Sequence, residues 1–343
     1  MSTAEAMMMS TAVPMQMQVE IERLRLRNPF RISGYTFTEV PVVVVTLESE
    51  RGRGRGEAAG VYYLKDTPEQ IVATLEAHRA VIESGITRAQ LLELLPPGGA
   101  RNALDCALWD LEAKHAGMPV WRLAGVNEVV PRITTFTLSA DGPPAVVSAA
   151  EALPHAKALK LKLDGDLQMD KERVRAVRRL RPDVWMGVDA NQGYSIEKLK
   201  AIMPAFVEAG VKLVEQPLPR GREADLDGFK SPIPLAADES VQGLADVRGL
   251  RGRFQVVNIK LDKCGGLTEG LAMAHEARRL GMQVMVGNMV GTSLAMAPSF
   301  VVAQLCDYVD LDGPVFLAED RQPSLTYQDG SVYCAANVWG DGK

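Results

Sequence analysis

The sequence predicts an α/β protein in which a modified (β/α)8 barrel of the triosephosphate-isomerase type carries an α+β capping domain. Two observations predict the architecture. After about Val130, eight short apolar runs alternate with helix-length amphipathic segments, as the strands and helices of a parallel barrel do. Before that point strands come first and helices follow, the order of an α+β unit. A third observation bears on chemistry: each of the eight runs ends on a polar or charged residue, at the strand end where such barrels gather their active sites.

Taken in order, the opening stretch MSTAEAMMMSTAVPMQM has no basic start and no continuous apolar core, so residues 1–16 read as a flexible tail and not as a secretory leader. The capping domain is expected over residues 17–128. Its strands are MQVEIERLRLRNPF and EVPVVVVTLESE, and RGRGRG between the second of these and EAAGVYY reads as a hairpin turn. Helical periodicity follows in TPEQIVATLEAHRAVIES, TRAQLLELL and GARNALDCALWDLEAKHAG, the last with apolar residues at the i, i+3, i+4 spacing of one buried face.

The barrel is expected over residues 129–315. Its runs are RITTFTL, HAKALKLKLD, VWMGVDAN, VKLVEQP, IPLAADE, VVNIKLD, QVMVGNM and YVDLDGP. They end on Thr137, Lys162, Asp189, Glu215, Asp238, Lys260, Asn288 and Asp310. Residues 316–343 are expected to return to the capping domain.

Composition narrows the function class. The 343 residues are 47% hydrophobic and 24% charged with a net charge of −5, so no basic field exists to hold nucleic acid or an anionic membrane, and RGRGRG is out of place as an RNA-binding segment. No run reaches the roughly 18 apolar residues of a membrane span. Cys106, Cys264, Cys306 and Cys334 are scattered, which argues against a zinc site or a disulfide framework and suits a reducing cytoplasm. A small-molecule ligand is expected.

An isolated aspartate at a strand end more often caps the next helix. Asp189, Glu215 and Asp238 end three successive strands, however, and neighbouring strands lie about 4.8 Å apart. Three carboxylates so placed would repel one another unless they shared a hard divalent cation, for which magnesium fits best.

Lysines flank the three acids. Lys160 and Lys162 are two apart and face the same side of their strand, into the barrel, while Lys260 ends the sixth run. Removing a proton α to a carboxylate gives a high-energy enediolate, so a site for it must stabilise charge on oxygen and place a base at the carbon. A metal does the first. A lysine does the second once positive neighbours and burial lower its pKa, and Lys160 beside Lys162, with the cation near both, is expected to lower it. Lys162 and Lys260 are therefore the expected pair of bases for a two-base inversion.

These motifs resemble the enolase superfamily, muconate-lactonizing subgroup. The resemblance rests on Lys160-x-Lys162, Asp189-Ala190-Asn191, Glu215-Gln216-Pro217, Ala237-Asp238-Glu239-Ser240 and Asn258-Ile259-Lys260 followed by Gly265-Gly266, with ARNALDCALWDL around Asp105 similar to the helix between cap and barrel. Within the subgroup the chain is most similar to the dipeptide epimerases, the L-Ala-D/L-Glu epimerase group, through Asp310-Leu311-Asp312. The resemblance implies that this pair of acids holds the free α-ammonium of a dipeptide, and two acids at i, i+2 do face one way and suit a cationic group. It further implies that Thr137, Lys160 and the segment Asn288-Met289-Val290 line the substrate, that one Mg2+ is bound per subunit, and that the enzyme is a homo-oligomer, often octameric.

One departure stands out. Relatives that take L-Ala-L-Glu carry an arginine a few residues after Pro-Phe, where NPFRISGYTF offers Gly34 and Tyr35, and Arg31 lies nearer the strand. The C-terminal residue of the substrate is therefore expected to be apolar or small and not glutamate. N-acylamino-acid racemase, o-succinylbenzoate synthase and muconate cycloisomerase share the lysines and metal ligands, but their substrates lack an ammonium for Asp310 and Asp312. A histidine base is disfavoured, because His78, His115 and His275 fall in helical segments and His155 at the start of a strand. A catalytically dead barrel should have lost one of these groups, and none is missing.

Overall fold

The computed structural model describes residues 13–32 and 35–343. Of the opening stretch, residues 1–12 lie outside the described residues. Met15 is already buried, with its N–H on the Glu83 carbonyl at 3.0 Å. β1 (Gln16–Ile32) and β2 (Tyr35–Ser49) form a long antiparallel pair, and β3 (Gly52–Ala58) adds to the free side of β2.

The sheet packs its Val43, Val45 and Leu47 side against helices Pro68–Ala77, Arg88–Leu94 and Gly99–Ala116. The first two of these helices start where a Thr-x-x-Gln box tells them to. Thr67 and Thr87 accept from the N–H of Gln70 and Gln90, and each glutamine side chain answers the threonine's own N–H.

The expectation of a hairpin turn at RGRGRG is corrected. The turn is confined to Glu50 and Arg51, and Gly52 to Ala58 form β3. Gly54 and Gly56 face helix Gly99–Ala116 so closely that a Cβ would overlap the carbonyls of Ala107 and Ala103. Alternation of Gly and Arg thus gives a strand one bare face against a helix, with Arg53 exposed and Arg55 half-buried on the other.

β4 (Arg132–Ile133) precedes the barrel. The eight expected runs form β5 (Thr135–Leu138), β6 (Ala158–Lys162), β7 (Trp185–Asp189), β8 (Leu213–Glu215), β9 (Leu235–Ala237), β10 (Val256–Ile259), β11 (Gln283–Val286) and β12 (Tyr308–Val309). Each strand is parallel to the one before it.

Side chains alternate between two environments with period two. Leu159, Leu161, Val188, Val214, Val257 and Val284 join the large core beneath the surrounding helices. On the inner face Leu213, Ala236, Val256 and Met285 form a separate apolar floor with Trp185 and Tyr308. Two residues further along the same strands, Asp189 shares a face with Gly187, Glu215 with Leu213, Asp238 with Ala236 and Asn258 with Val256. The barrel therefore has an oily floor and an ionic ceiling.

Side chains join the first and last strands of the sheet. Leu311 N–H donates to Thr134 Oγ1 at 2.9 Å, Thr135 Oγ1 donates to Asp310, and Thr137 N–H donates to Asp312 Oδ2 at 2.7 Å.

After the barrel, β13 (Thr326–Gln328) and β14 (Ser331–Tyr333) form a hairpin whose second strand pairs with β4. The chain end meets the cap. Arg321 bonds Glu22 and Glu57, Trp339 Nε1 donates to the Arg55 carbonyl at 2.8 Å, and Gly340 N–H donates to Asp110 Oδ1 at 3.1 Å. Among the described residues no helix is long and apolar enough to cross a membrane.

Candidate active site at the barrel mouth

Parallel register puts Lys162 of β6 beside Asp189 of β7, and Asp189 beside Glu215 of β8. Asp238 follows β9 by one residue. The three acids are at most 1% exposed, and one oxygen from each lies within 4.8 Å of the others. An all-oxygen donor set of this spacing fits a hard divalent cation such as magnesium.

The surrounding charges agree. Asp189, Glu215, Asp238, Glu239, Asp310 and Asp312 are buried together with Lys160, Lys162, Lys260 and Lys263. The six acids outnumber the four lysines, an excess of negative charge that a divalent cation would offset. Two further buried oxygens, Asn191 Oδ1 and Glu239 Oε2, have no hydrogen-bond partner within the protein.

Each lysine holds a particular acid. Lys162 Nζ donates to Asp189 Oδ2 and Lys260 Nζ to Asp238 Oδ2, both at 2.6 Å. Lys160 Nζ is bonded to Asp310 and lies 3.3 Å from Glu215 Oε2. β6 and β10 are second and sixth in the order of eight, so Lys162 and Lys260 stand on opposite walls.

Carboxylates dominate the charge environment of Lys160 and Lys260. Burial pulls Lys160 down, but Asp310, Glu215 and Asp189 outweigh it and hold the ammonium well above its usual range. Lys260 behaves alike, burial being overcome by Asp238 and Glu215. The nearest charges around each lysine are carboxylates, not the other lysine.

The acids divide by the company they keep. Burial raises Glu215 to about 7, helped by Asp189, and raises Glu239 to about 8, helped by Asp238. Burial also opposes ionisation of Asp238, yet Lys260 and Lys263 hold it below the usual carboxylate range. At the seam, burial and neighbouring Asp310 raise Asp312 to about 6, while Asp310 is lowered because Lys160 and Thr135 outweigh its burial.

A cavity of about 320 Å³ opens above these groups. Ten of the twelve residues singled out in the sequence line it: Thr137, Lys160, Lys162, Asp238, Lys260, Asn288, Met289, Val290, Asp310 and Asp312. Asp189 and Glu215 lie behind that lining in the acid triad. The cap supplies an apolar wall of Phe30, Phe37, Val40, Pro41, Tyr62 and Tyr63, with Phe316 from the returning chain. Among the described residues, no arginine and no histidine lines the cavity.

Gly34 lies outside the described residues, and of Tyr35 only the backbone is described. Arg31 turns away to bond Asp141 Oδ1 at 2.9 Å.

Lys263 was missed in the sequence. It is 2% exposed, and its Nζ donates to Asp238 Oδ1 at 2.5 Å, to the Asp238 carbonyl at 2.6 Å and to the Asn258 carbonyl at 3.2 Å. The available signal was its place one helical turn after Lys260. The Gly265-Gly266 pair explains itself against the cap. Both have positive φ, and a Cβ on Gly266 would lie 2.5 Å from Asp105 Oδ2, while one on Gly265 would collide with Arg101. Arg101 and Asp105, one turn apart on helix Gly99–Ala116, thereby dock the cap onto the end of strand β10.

Comparison with known proteins agrees with this geometry. Residues 15–125 match the family described as mandelate racemase / muconate lactonizing enzyme, N-terminal domain, and residues 145–336 match enolase C-terminal domain-like. An N-acetyl-D-glutamate racemase from Pseudoalteromonas is 43% identical over 74% of this chain and 79% of its own length. An L-Ala-D/L-Glu epimerase from Escherichia coli is 40% identical over 74% of this chain and 78% of its own length.

Among solved structures, an enolase family member from Agrobacterium tumefaciens with homology to dipeptide epimerases, holding sodium and L-Ala-L-Glu, is 39% identical. It covers 95% of this chain and 100% of its own, with a TM-score of 0.92. A dipeptide epimerase from Methylococcus capsulatus, complexed with Mg and L-Arg-D-Lys, is 30% identical over 95% and 98% of the two chains, with a TM-score of 0.88.

Proposed function

Because the chain belongs to the dipeptide epimerase family of the enolase superfamily, we propose that it inverts the α-carbon of the C-terminal residue of a dipeptide by proton transfer between two lysines. The observation that carries this reading is the placement of Lys162 and Lys260 on opposite walls, each at 2.6 Å from an acid of one triad. Lys162 takes the α-proton from one epimer as its C–H bond electrons move toward the carboxylate. Lys260, held as an ammonium, returns a proton to the opposite face. The roles exchange in reverse.

Asp189, Glu215 and Asp238 would hold one Mg2+, which supplies Lewis-acid stabilisation of the charge that develops on the substrate carboxylate. Asp310 and Asp312 receive the substrate ammonium, with Asp312 fixed by the Thr137 N–H. Thr137, Lys160, Asn288, Met289 and Val290 position the rest. The capping domain, residues 17–128, shapes the outer end of the cavity. The barrel, residues 129–315, does the chemistry, and residues 316–343 tie the two together. The enzyme acts in the cytoplasm as a homo-oligomer.

The C-terminal residue of the substrate is uncharged and apolar or small. Lining lysines Lys160, Lys162 and Lys260 are each bonded to a carboxylate, and the cap presents aromatic and aliphatic surface where a glutamate side chain would need a cation.

A second reading has its own support. Asp310 is already neutralised by Lys160, which weakens its claim on an ammonium and favours an N-acylamino acid, the substrate class in the name of the Pseudoalteromonas relative.

Screening L-Ala-L-X dipeptides and N-acetyl-glutamate in deuterated water with magnesium, read by mass gain at the α-carbon, separates the two. Exchange confined to N-acylated substrates would reject the dipeptide reading. Turnover of L-Ala-L-Glu ahead of apolar dipeptides would reject the side-chain assignment.

A further inference from the structure

The turn Leu261–Cys264 that follows Lys260 is held on three sides. Within it, Lys263 and Cys264 donate their N–H groups to the Lys260 carbonyl at 3.0 and 3.1 Å. Toward the barrel, Lys263 Nζ grips Asp238. Toward the cap helix, Arg101 Nη2 donates to the Cys264 carbonyl at 2.6 Å, and Thr268 N–H donates to Asp105 Oδ2 at 2.9 Å. The turn is therefore a rigid peg continuous with Lys260.

From this peg Asp262, 7% exposed, reaches across to the cap. Its Oδ1 accepts the N–H groups of Ala59 at 2.9 Å and Gly60 at 3.0 Å. Both residues line the cavity. Gly60 bends the chain at φ +73°, where a Cβ would overlap the Asp66 carbonyl, and the bend leads directly into Tyr62 and Tyr63 of the cavity wall. These are long-range bonds, between residues 203 and 202 apart in sequence. The segment carrying the aromatic wall is thus fastened to the residue next but one to Lys260.

We propose that Asp262 is a positioning residue that sets the aromatic wall of the cap at a fixed height over Lys260, and so governs which substrate side chains the cavity accepts. This rests on the epimerase reading for its substrate consequence, though the clamp itself does not. Among the described residues Asp262 is not part of the cavity lining, and its oxygen accepts from the cap backbone. It acts through the backbone of residues 59–60, and its removal loosens selection among side chains more than it slows proton transfer.

The test uses full-length, magnesium-loaded protein with Asp262→Ala and the near-isosteric Asp262→Asn. The readouts are kcat and KM for L-Ala-L-Phe and L-Ala-L-Ala, together with hydrogen–deuterium exchange of the 59–64 segment by mass spectrometry. Asp262→Ala is expected to narrow the kcat/KM ratio between the two dipeptides about tenfold, chiefly through KM, and to speed exchange of the segment about tenfold, the effect of losing two hydrogen bonds to a carboxylate. Asp262→Asn keeps an acceptor oxygen and is expected to restore most of both.

An unchanged ratio with unchanged exchange in Asp262→Ala overturns the proposal. So does a drop in kcat alone with KM untouched, or the failure of both variants to fold, which would make Asp262 a folding residue. If the wild type turns over no dipeptide, the epimerase reading fails by itself. Segment exchange then still decides whether the clamp exists.

Discussion

Lys162 and Lys260 each hold a different acid of one triad, Asp189 and Asp238, at the same distance of 2.6 Å from opposite walls of the barrel. Such symmetry is what a reaction with interchangeable donor and acceptor requires. Replacing either lysine with alanine is expected to cut epimerisation at least about a thousandfold, within the range for loss of a general acid or base. Incubating each variant with each epimer in deuterated water should show exchange persisting only for the epimer whose α-hydrogen faces the remaining lysine. Epimerisation at the original rate in both variants would reject the assignment.

Buried Asp189, Glu215 and Asp238 repel one another, so an ion that binds them favours the folded state. Magnesium at about a hundredfold over its Kd should stabilise the protein by about 2.7 kcal/mol. Thermal melts in chelator and across a magnesium titration check it, and Asp189→Asn should shift that titration to higher concentration. A melting point indifferent to magnesium would remove the metal from the site.

Asp105 is fully buried, and burial raises its pKa from 3.8 to about 6 against the Thr268 bonds that lower it. Burial likewise raises Asp262 to about 7. In both cases the folded form keeps a proton that the unfolded form has lost, so stability falls as pH rises through the window from about 4 to about 7. Melting temperature at saturating magnesium should therefore decline from pH 5 to pH 8. Asp105→Asn, which imitates the protonated acid, should flatten the decline by on the order of 1 kcal/mol. A melting point that climbs over that interval would contradict the burial argument.

Gly266 has φ +115° and presses against Asp105. Gly266→Ala should cost at least about 2 kcal/mol through backbone strain and displacement of the docked acid, read as a lower denaturant midpoint. Gly221→Ala, with open space around its Cβ, shares the positive φ but not the contact and should cost less.

Much of this site was legible because strand ends announce themselves. In a barrel, an apolar run closing on Asp189, Glu215 or Lys260 fixes both the direction of the side chain and the mouth it points into. The parts that were not legible depend on partners distant in sequence. Asp262 and Lys263 were not singled out in the sequence, because nothing local reveals that one meets the backbone at residues 59–60 and the other meets Asp238. RGRGRG read as a turn since glycine signals turns in isolation. Its meaning as a bare strand face needs the helix around Ala103 and Ala107 to be in place. The hold of Asp310 on Lys160 was not legible either, because the two stand 150 positions apart in sequence.

Thr134, Thr135 and Thr137 meet Leu311, Asp310 and Asp312 across the joint between the first and last strands. The acids proposed to receive the substrate thus also close the wall. A change at Asp310 or Asp312 that adapts the cavity to a new ligand also unfastens a stave of the cask. Efforts to redirect this protein toward other compounds have more freedom along the aromatic cap than at this hoop.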